Sequence, residues 1–327
     1  MSLSSSSSSS PVQQEGRPRM FRRLRDGWTA FRESDLLFDF TRNPIAVVGF
    51  LVAAGLILAA ILAPLIAPHD PYDSSSIDLM NGLMPPFWEA GGTTEFPLGT
   101  DNQGRDVLSG ILYGLRLSLT ISVAAVALSA VVGTALGLLA AWVGGWVDSA
   151  IMRLADIQLS FPAILVAMLV DGIARASLPP SEHAKLAMPI VIVAIGISGW
   201  VQYARTVRSI ALVEKGKDYV EAARLIGVHP VLIVPQHVLP NATGSIFVLA
   251  TVHLATAILT EATLSFLGLG MPPTEPSIGT LIRVGNDFLF SGEWWITILP
   301  GVTLALLVLS VNLVGDWLRD AINPQLR

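Results

Sequence analysis

Asp218, Glu221 and Arg224 recur every three residues and are followed by Gly227, in a chain that is otherwise mostly apolar. This spacing suits a short helix whose first turn carries two carboxylates at the positive end of the helix dipole. Asp218 and Glu221 have the arrangement of an acidic capping box. The chemistry this offers is recognition, because Glu221, Arg224 and Lys217 flank an apolar stripe where ion pairs fix register. Residue types that make and break bonds lack the necessary partners. The five histidines (His69, His183, His229, His237, His253) show no metal-ligand spacing and no His-Glu-x-x-His. Zero cysteines exclude disulfides, thiolate metal sites and cysteine nucleophiles. Gly216-Lys217 precedes Asp218 and has no glycine five residues earlier, so it is no P-loop. Gly196-Ile197-Ser198-Gly199 is one residue short of a nucleophile elbow. Gly268-x-Gly270 lacks the third glycine of a dinucleotide site. The expectation is no catalytic residue, no metal and no cofactor in this chain.

The helix is expected over Tyr219–Ile226, about 12 Å long at 1.5 Å per residue. Gly227 suits the left-handed position past its last turn, and Pro230 blocks continuation. Isolated helices this short are marginal in water, so something must hold it. Tyr219, Ala222, Ala223 and Ile226 fall at i, i+3, i+4 and i+7 and make one narrow face. Two readings stand on these residues alone: a helix packed on its own chain, and a helix that docks on a partner.

The elements that position it are membrane spans. The 327 residues are 52% apolar and 14% charged, against about 25% charged in soluble domains. A bilayer core needs about 20 apolar residues per helix. Ile45–Ala67, Leu117–Val143, Leu186–Ala204, Ala242–Thr260 and Ile296–Val314 qualify. Ile157–Val170, bounded by Asp156 and Asp171, is shorter; it is taken as the third of six spans, with a buried half-span as the alternative. With both termini inside, the twenty Lys and Arg residues divide fifteen inside to five outside, which favours a cytoplasmic N-terminus, C-terminus and Glu221 loop. No secretory signal is expected, since the first apolar run begins at Ile45. The expected organisation is a Ser-rich, partly disordered arm (1–44, including Ser4–Ser10 and the basic Arg17–Arg25), a first span (45–68), an external loop (69–114), a five-helix core (115–320) containing the cytoplasmic loop 205–241, and a tail (321–327). The net charge of −5 argues against a nucleic-acid partner.

Longer stretches carry a resemblance. Glu221-Ala222-Ala223, Gly227 and the ending His237–Asn241 resemble the EAA loop of ATP-binding-cassette (ABC) importer permeases. Pro97-Leu98-Gly99-Thr100-Asp101-Asn102-Gln103-Gly104-Arg105-Asp106, Leu259-Thr260-Glu261-Ala262-Thr263-Leu264-Ser265-Phe266-Leu267-Gly268 and Asn312-Leu313-Val314-Gly315-Asp316-Trp317 resemble the C-type permease of bacterial dipeptide, oligopeptide and nickel importers. One departure is Pro276-Ser277-Ile278-Gly279, where that family often has Pro-Ser-Trp-Gly. The resemblance implies an all-α polytopic protein of the type I ABC importer fold, with six transmembrane helices and a cytoplasmic coupling helix. It also implies a bacterial inner membrane location, a second homologous permease subunit, two ABC ATPase subunits that bind ATP and Mg, and an external peptide-binding protein. The ATPase-coupling residues would be Tyr219, Glu221, Ala222, Ala223, Arg224, Ile226 and Gly227.

A different class, a self-sufficient carrier or channel driven by an ion gradient, is disfavoured: no inverted repeat and no broken mid-membrane helix with a paired charge is evident. Glu261 is a candidate for meeting a peptide's ammonium group in the pathway; the competing role is hydrogen bonding between the fifth span and the outer cap. Asp316 and Arg319 are spaced for an i, i+3 pair. Trp294 and Trp295 suit an interfacial aromatic belt, and Gly133-xxx-Gly137 suits close helix packing.

Overall fold

The computed structural model describes residues 40–73 and 78–322; Ser4–Ser10, Arg17–Arg25 and residues 323–327 lie outside them. The described chain is helical. α1 (Pro44–Ile61) and the short α2 (Ala63–Ile66) are followed by the described loop residues 67–73 and 78–106. Then come α3 (Val107–Val143), α4 (Gly145–Leu159), α5 (Ala163–Ala176) and α6 (His183–Lys215). α7 (Asp218–Leu225) and the single turn α8 (Pro230–Ile233) lead through a π-helical turn, Val234–Val238, into α9 (Leu239–Phe266). α10 (Ile278–Asn286) and α11 (Trp295–Ile322) complete the order.

Among the described residues, α1, α3, α6, α9 and α11 are long and apolar enough to cross a membrane. The third expected span differs. α4 and α5 meet at a bend of 98°, so the apolar run Ile157–Val170 crosses a break instead of forming one helix. The cause is Pro162, which lacks an N–H and restricts Phe161 before it to non-helical backbone. The pair makes a sixth span only if both halves are taken together. Its first half is tied to α6 by ion pairs Asp148–Arg208 (2.5 and 2.6 Å) and Asp156–Arg205. The last turn of its second half carries Arg175, which bonds Asp171 at 2.7 Å and reaches the Leu269 and Gly270 carbonyls.

Small residues set the bundle's spacing. At Gly133 an added Cβ would lie 2.3 Å from the Trp200 carbonyl oxygen, and at Gly137 one would lie 2.5 Å from that of Ala204. α3 and α6 therefore touch backbone to backbone, as small-xxx-small interfaces do in lipid. α1 buries Ala46, Gly49, Ala53 and Ala60 and leaves Val48, Leu51 and Leu58 exposed. Its Gly49 is seated against Leu313 of α11.

The loop preceding α3 is folded onto the start of α11. Asp106 caps α3, accepting from the Ser109 N–H at 2.9 Å. Trp295 is buried and donates to the Thr100 carbonyl at 3.1 Å, while Trp294 donates to Glu89 at 3.0 Å. Trp295 is thus packed beneath the loop instead of standing in an aromatic belt; a buried indole N–H needs an acceptor, and the loop backbone supplies it. Asp316 and Arg319 are both exposed and form no ion pair among the described residues.

Candidate functional site

α7 stands where the C-terminal ends of α3 and α6 meet the start of α9. Its start differs from the capping box expected at Asp218. The Lys217 carbonyl accepts from Val220 and Glu221, at 2.9 and 3.3 Å, so Asp218 is the first helical residue instead of the cap. Its carboxylate still sits at the positive end of the dipole. The helix ends after Leu225. Gly227 has φ +82°, and the Val228 N–H returns to the Ala223 carbonyl at 3.0 Å. This is the six-to-one bond of a Schellman cap, which needs a left-handed residue where Gly227 stands.

The two sides of α7 differ sharply. Val220 and Ala223 are buried against Ile233, with Trp142 and Val228 beside them. Ala223 therefore turns inward, away from the stripe on which sequence spacing had put it. Ala222 and Glu221 are exposed, Ile226 is 80% exposed and Leu225 is 88% exposed. Tyr219 lies on the flank, where its hydroxyl donates to Glu214. That bond holds the Tyr219 phenol above its ordinary pKa range. Nothing is described for the Arg224 side chain.

The anchorage joins Lys217 and Tyr219, which sequence spacing singled out, to Glu214, Lys215 and Trp142, which it did not. Lys215 Nζ donates to the Ala141 and Trp142 carbonyls, at 3.1 and 3.0 Å. These belong to the last turn of α3, whose carbonyls have no partner within the helix. The same ammonium lies 5.6 Å from the centre of the Trp142 ring. Glu214 collects Lys217, Tyr219 and Asn241. Glu214, Lys217 and Tyr219 are close in sequence but straddle the break at Gly216, and Asn241 comes from a separate helix, so no helical period links them. Pro235 lies in the π-helical turn and Pro240 in the first turn of α9.

Glu261 sits near the other end of the bundle and is fully buried. Its carboxylate accepts from Ser118 of α3 and Ser265 of α9, both at 2.7 Å. Ser118 also accepts from the Ile278 N–H at 3.3 Å, and Ser265 from the Met271 N–H at 3.1 Å. The network fastens α10 and the turn before it onto the bundle; no surface of Glu261 is open to a peptide in this conformation. Ile278, at the departure from Pro-Ser-Trp-Gly, is buried directly after Ser277, which caps α10. Glu261→Ala is expected to lower the melting midpoint of the detergent-purified protein, since it strands two buried hydroxyls at about 1–3 kcal/mol. Glu261→Gln keeps an acceptor oxygen and is expected to lose less. An Ala variant that melts with the wild type would contradict the network's role.

Near the loop end a cavity of about 240 Å³ is lined by Asn102, Gln103, Thr280, Arg283 and Asp287, among others. Among the described residues no group of three His, Asp or Glu is placed to hold a metal ion. His183 Nε2 lies 2.9 and 3.0 Å from the Arg175 and Leu178 carbonyls, and His253 Nδ1 lies 3.2 Å from the Tyr203 hydroxyl.

Long apolar helices, a bent pair among them and a clamped loop helix with an exposed apolar tip define a multi-pass membrane protein whose distinctive part is a loop. The chain belongs to the family of binding-protein-dependent transport system inner membrane components, whose pattern matches residues 133–327. Residues 23–86 match the N-terminal transmembrane domain of oligopeptide transport permease C. The dipeptide transport system permease protein of Haemophilus influenzae is 38% identical over 290 residues, covering 89% of this chain and 94% of that protein. The oligopeptide transport system permease protein of Bacillus subtilis is 35% identical over 293 residues, covering 90% of each. The glutathione transport system permease protein of Pectobacterium atrosepticum is 35% identical over 289 residues, covering 88% and 89%. The inward-facing methionine ABC transporter MetNI is a solved structure with TM-score 0.49 and 22% identity, covering 66% of this chain and 96% of its own.

Proposed function

We propose that this chain is one of two permease subunits of an ATP-driven peptide importer, and that α7 is its coupling helix. The observation that carries the reading is the two-sidedness of α7: Val220 and Ala223 fix it to its own bundle while Leu225 and Ile226 project from it uncovered. An apolar pair exposed beside carboxylates suits insertion into a partner's groove, with the charges at the rim. Tyr219, Glu221, Ala222, Ala223, Arg224, Ile226 and Gly227 then make up the coupling element. Ala223 acts from the inward side, by letting α7 approach Ile233.

In this reading α7 and both termini face the cytoplasm, and the external loop 69–114, whose last residues form the first two turns of α3, faces outward toward a peptide-binding protein. Two ABC ATPases, which hold ATP and Mg, grip the coupling helices of this chain and of a homologous permease. Closure of the ATPase pair displaces α7, and the bundle switches between two arrangements. The relatives named for dipeptide and oligopeptide transport support peptide as cargo. Glu261 is assigned to holding α10, not to the pathway.

Gly227→Val tests the lever. An added Cβ there meets nothing within 4 Å, so the expected damage is to the backbone alone. A β-branched residue at φ +82° costs about 1–2 kcal/mol or more. The α7 cap should open, uptake should fall, and the amount of folded protein in the membrane should stay near wild type. Co-purification from the native membrane should recover two ATPase chains and a second permease with the unaltered chain. A lone homo-oligomer, or full uptake by Gly227→Val, would overturn the reading.

A further inference from the structure

Two consecutive residues at the end of α6 join four helices. Lys215 holds the last carbonyls of α3, as described above. Glu214, only 6% exposed, joins α7 and α9 through its carboxylate. Oε1 accepts from Lys217 Nζ at 2.6 Å. Oε2 accepts from the Tyr219 hydroxyl and from Asn241 Nδ2, the latter at 3.1 Å. Asn241 Nδ2 is also 3.1 Å from the Tyr219 oxygen, which closes a triangle among α6, α7 and α9. The apolar seat of α7 is small by comparison and rests chiefly on Val220 and Ala223. Apolar contacts resist separation but not sliding. Charge-assisted hydrogen bonds to a carboxylate are directional and resist both.

We propose that Glu214 is the positioning residue that makes the joint between α7 and the spans rigid, so that displacement of α7 is passed to α6 through the Glu214 backbone and to α9 through Asn241. The proposal rests on the reading of α7 as the coupling helix. A push on the exposed tip acts nearly two helical turns, about 9–10 Å, from Tyr219. With the carboxylate in place, α7 and the first turn of α9 move as one body. Without it, α7 pivots on Val220 and Ala223 and the displacement is lost in the loop. The partner ATPases would then hydrolyse ATP without moving cargo.

The test uses the assembled transporter in vesicles, with uptake of a tritiated peptide digest measured against ATP hydrolysed. Glu214→Ala is expected to lower uptake per ATP roughly tenfold, within the span of ordinary coupling energies. ATPase chains should still co-purify with it and hydrolyse ATP. Glu214→Gln, which can accept from Tyr219 but loses the charge facing Lys217, should recover part of the loss. Tyr219→Phe should fall on the same side as Glu214→Ala. An unchanged ratio in Glu214→Ala overturns the proposal alone. So does a parallel loss of uptake and hydrolysis in which Glu214→Gln is no better than Glu214→Ala, because that marks general structural damage. If the unaltered chain recovers no ATPase, the docking reading itself falls, and the proposal with it.

Discussion

Gly133→Val is expected to lower the folding equilibrium constant about tenfold or more, a loss of about 1.4 kcal/mol or more. The added Cβ would lie 2.3 Å from the Trp200 carbonyl oxygen and 2.5 Å from the Tyr203 Cβ. A backbone oxygen in mid-helix cannot swing aside as a long side chain can. α3 and α6 would have to part along a contact that continues to Gly137 and Ala204. Overpacking of this kind costs about 1–3 kcal/mol, occasionally more. Water supplies no compensating drive between helices in lipid, so the lost van der Waals contact is not recovered. The thermal-unfolding midpoint of the detergent-extracted protein measures the effect. A midpoint equal to that of the wild type would contradict the backbone contact, since a cost of even about 1 kcal/mol lowers it by about 2 °C or more.

Joint replacement Leu225→Asp and Ile226→Asp is expected to do the reverse: near-normal folded protein and uptake close to background. Both side chains are largely exposed and contribute little to this chain's own packing. Surface substitutions of that kind usually move stability by no more than about 0.5 kcal/mol. At an interface the same positions act as buried anchors, whose loss costs about 2–4 kcal/mol. A carboxylate forced into an apolar groove adds desolvation. The measurement is ATPase co-purification alongside uptake. Full association of the double variant would remove these side chains from the docking surface, and loss of folded protein would mean that α7 packs differently from its exposure.

The contrast between these two sites follows what was legible in the sequence. Gly133 and Gly137 announced a close contact by spacing alone, because only small residues permit it. Five spans were legible because each is a long run without formal charge. The third was legible in part: the run Ile157–Val170 is apolar and too short for an ordinary span, but neither its composition nor Pro162 gives the 98° bend. Gly227 was legible because a left-handed cap restricts residue type.

The face of α7 was read less well. The i, i+3, i+4, i+7 pattern joined Ala222 and Ala223, which lie on opposite sides of the boundary between exposed and buried. Burial there is decided by Ile233 and Trp142, which arrive from other segments. Glu214 was missed for the same reason, and Asn241 was read only as part of the loop's ending, since their contact is between separate helices. Trp295 was read as a belt residue because the fold of the preceding loop has no period to reveal it.

The most direct test of the central claim uses the absence of cysteine from this chain. Ile226→Cys introduces a single thiol on the α7 tip, and Phe290→Cys, 97% exposed just beyond α10 toward the other end of the bundle, is its control. Thiol cross-linking in native membranes should join Ile226→Cys to an ATPase chain, with a yield that changes on adding ATP, and should leave Phe290→Cys unlinked to any ATPase. Cross-linking of the ATPase from Phe290→Cys, or from neither position, would contradict the account.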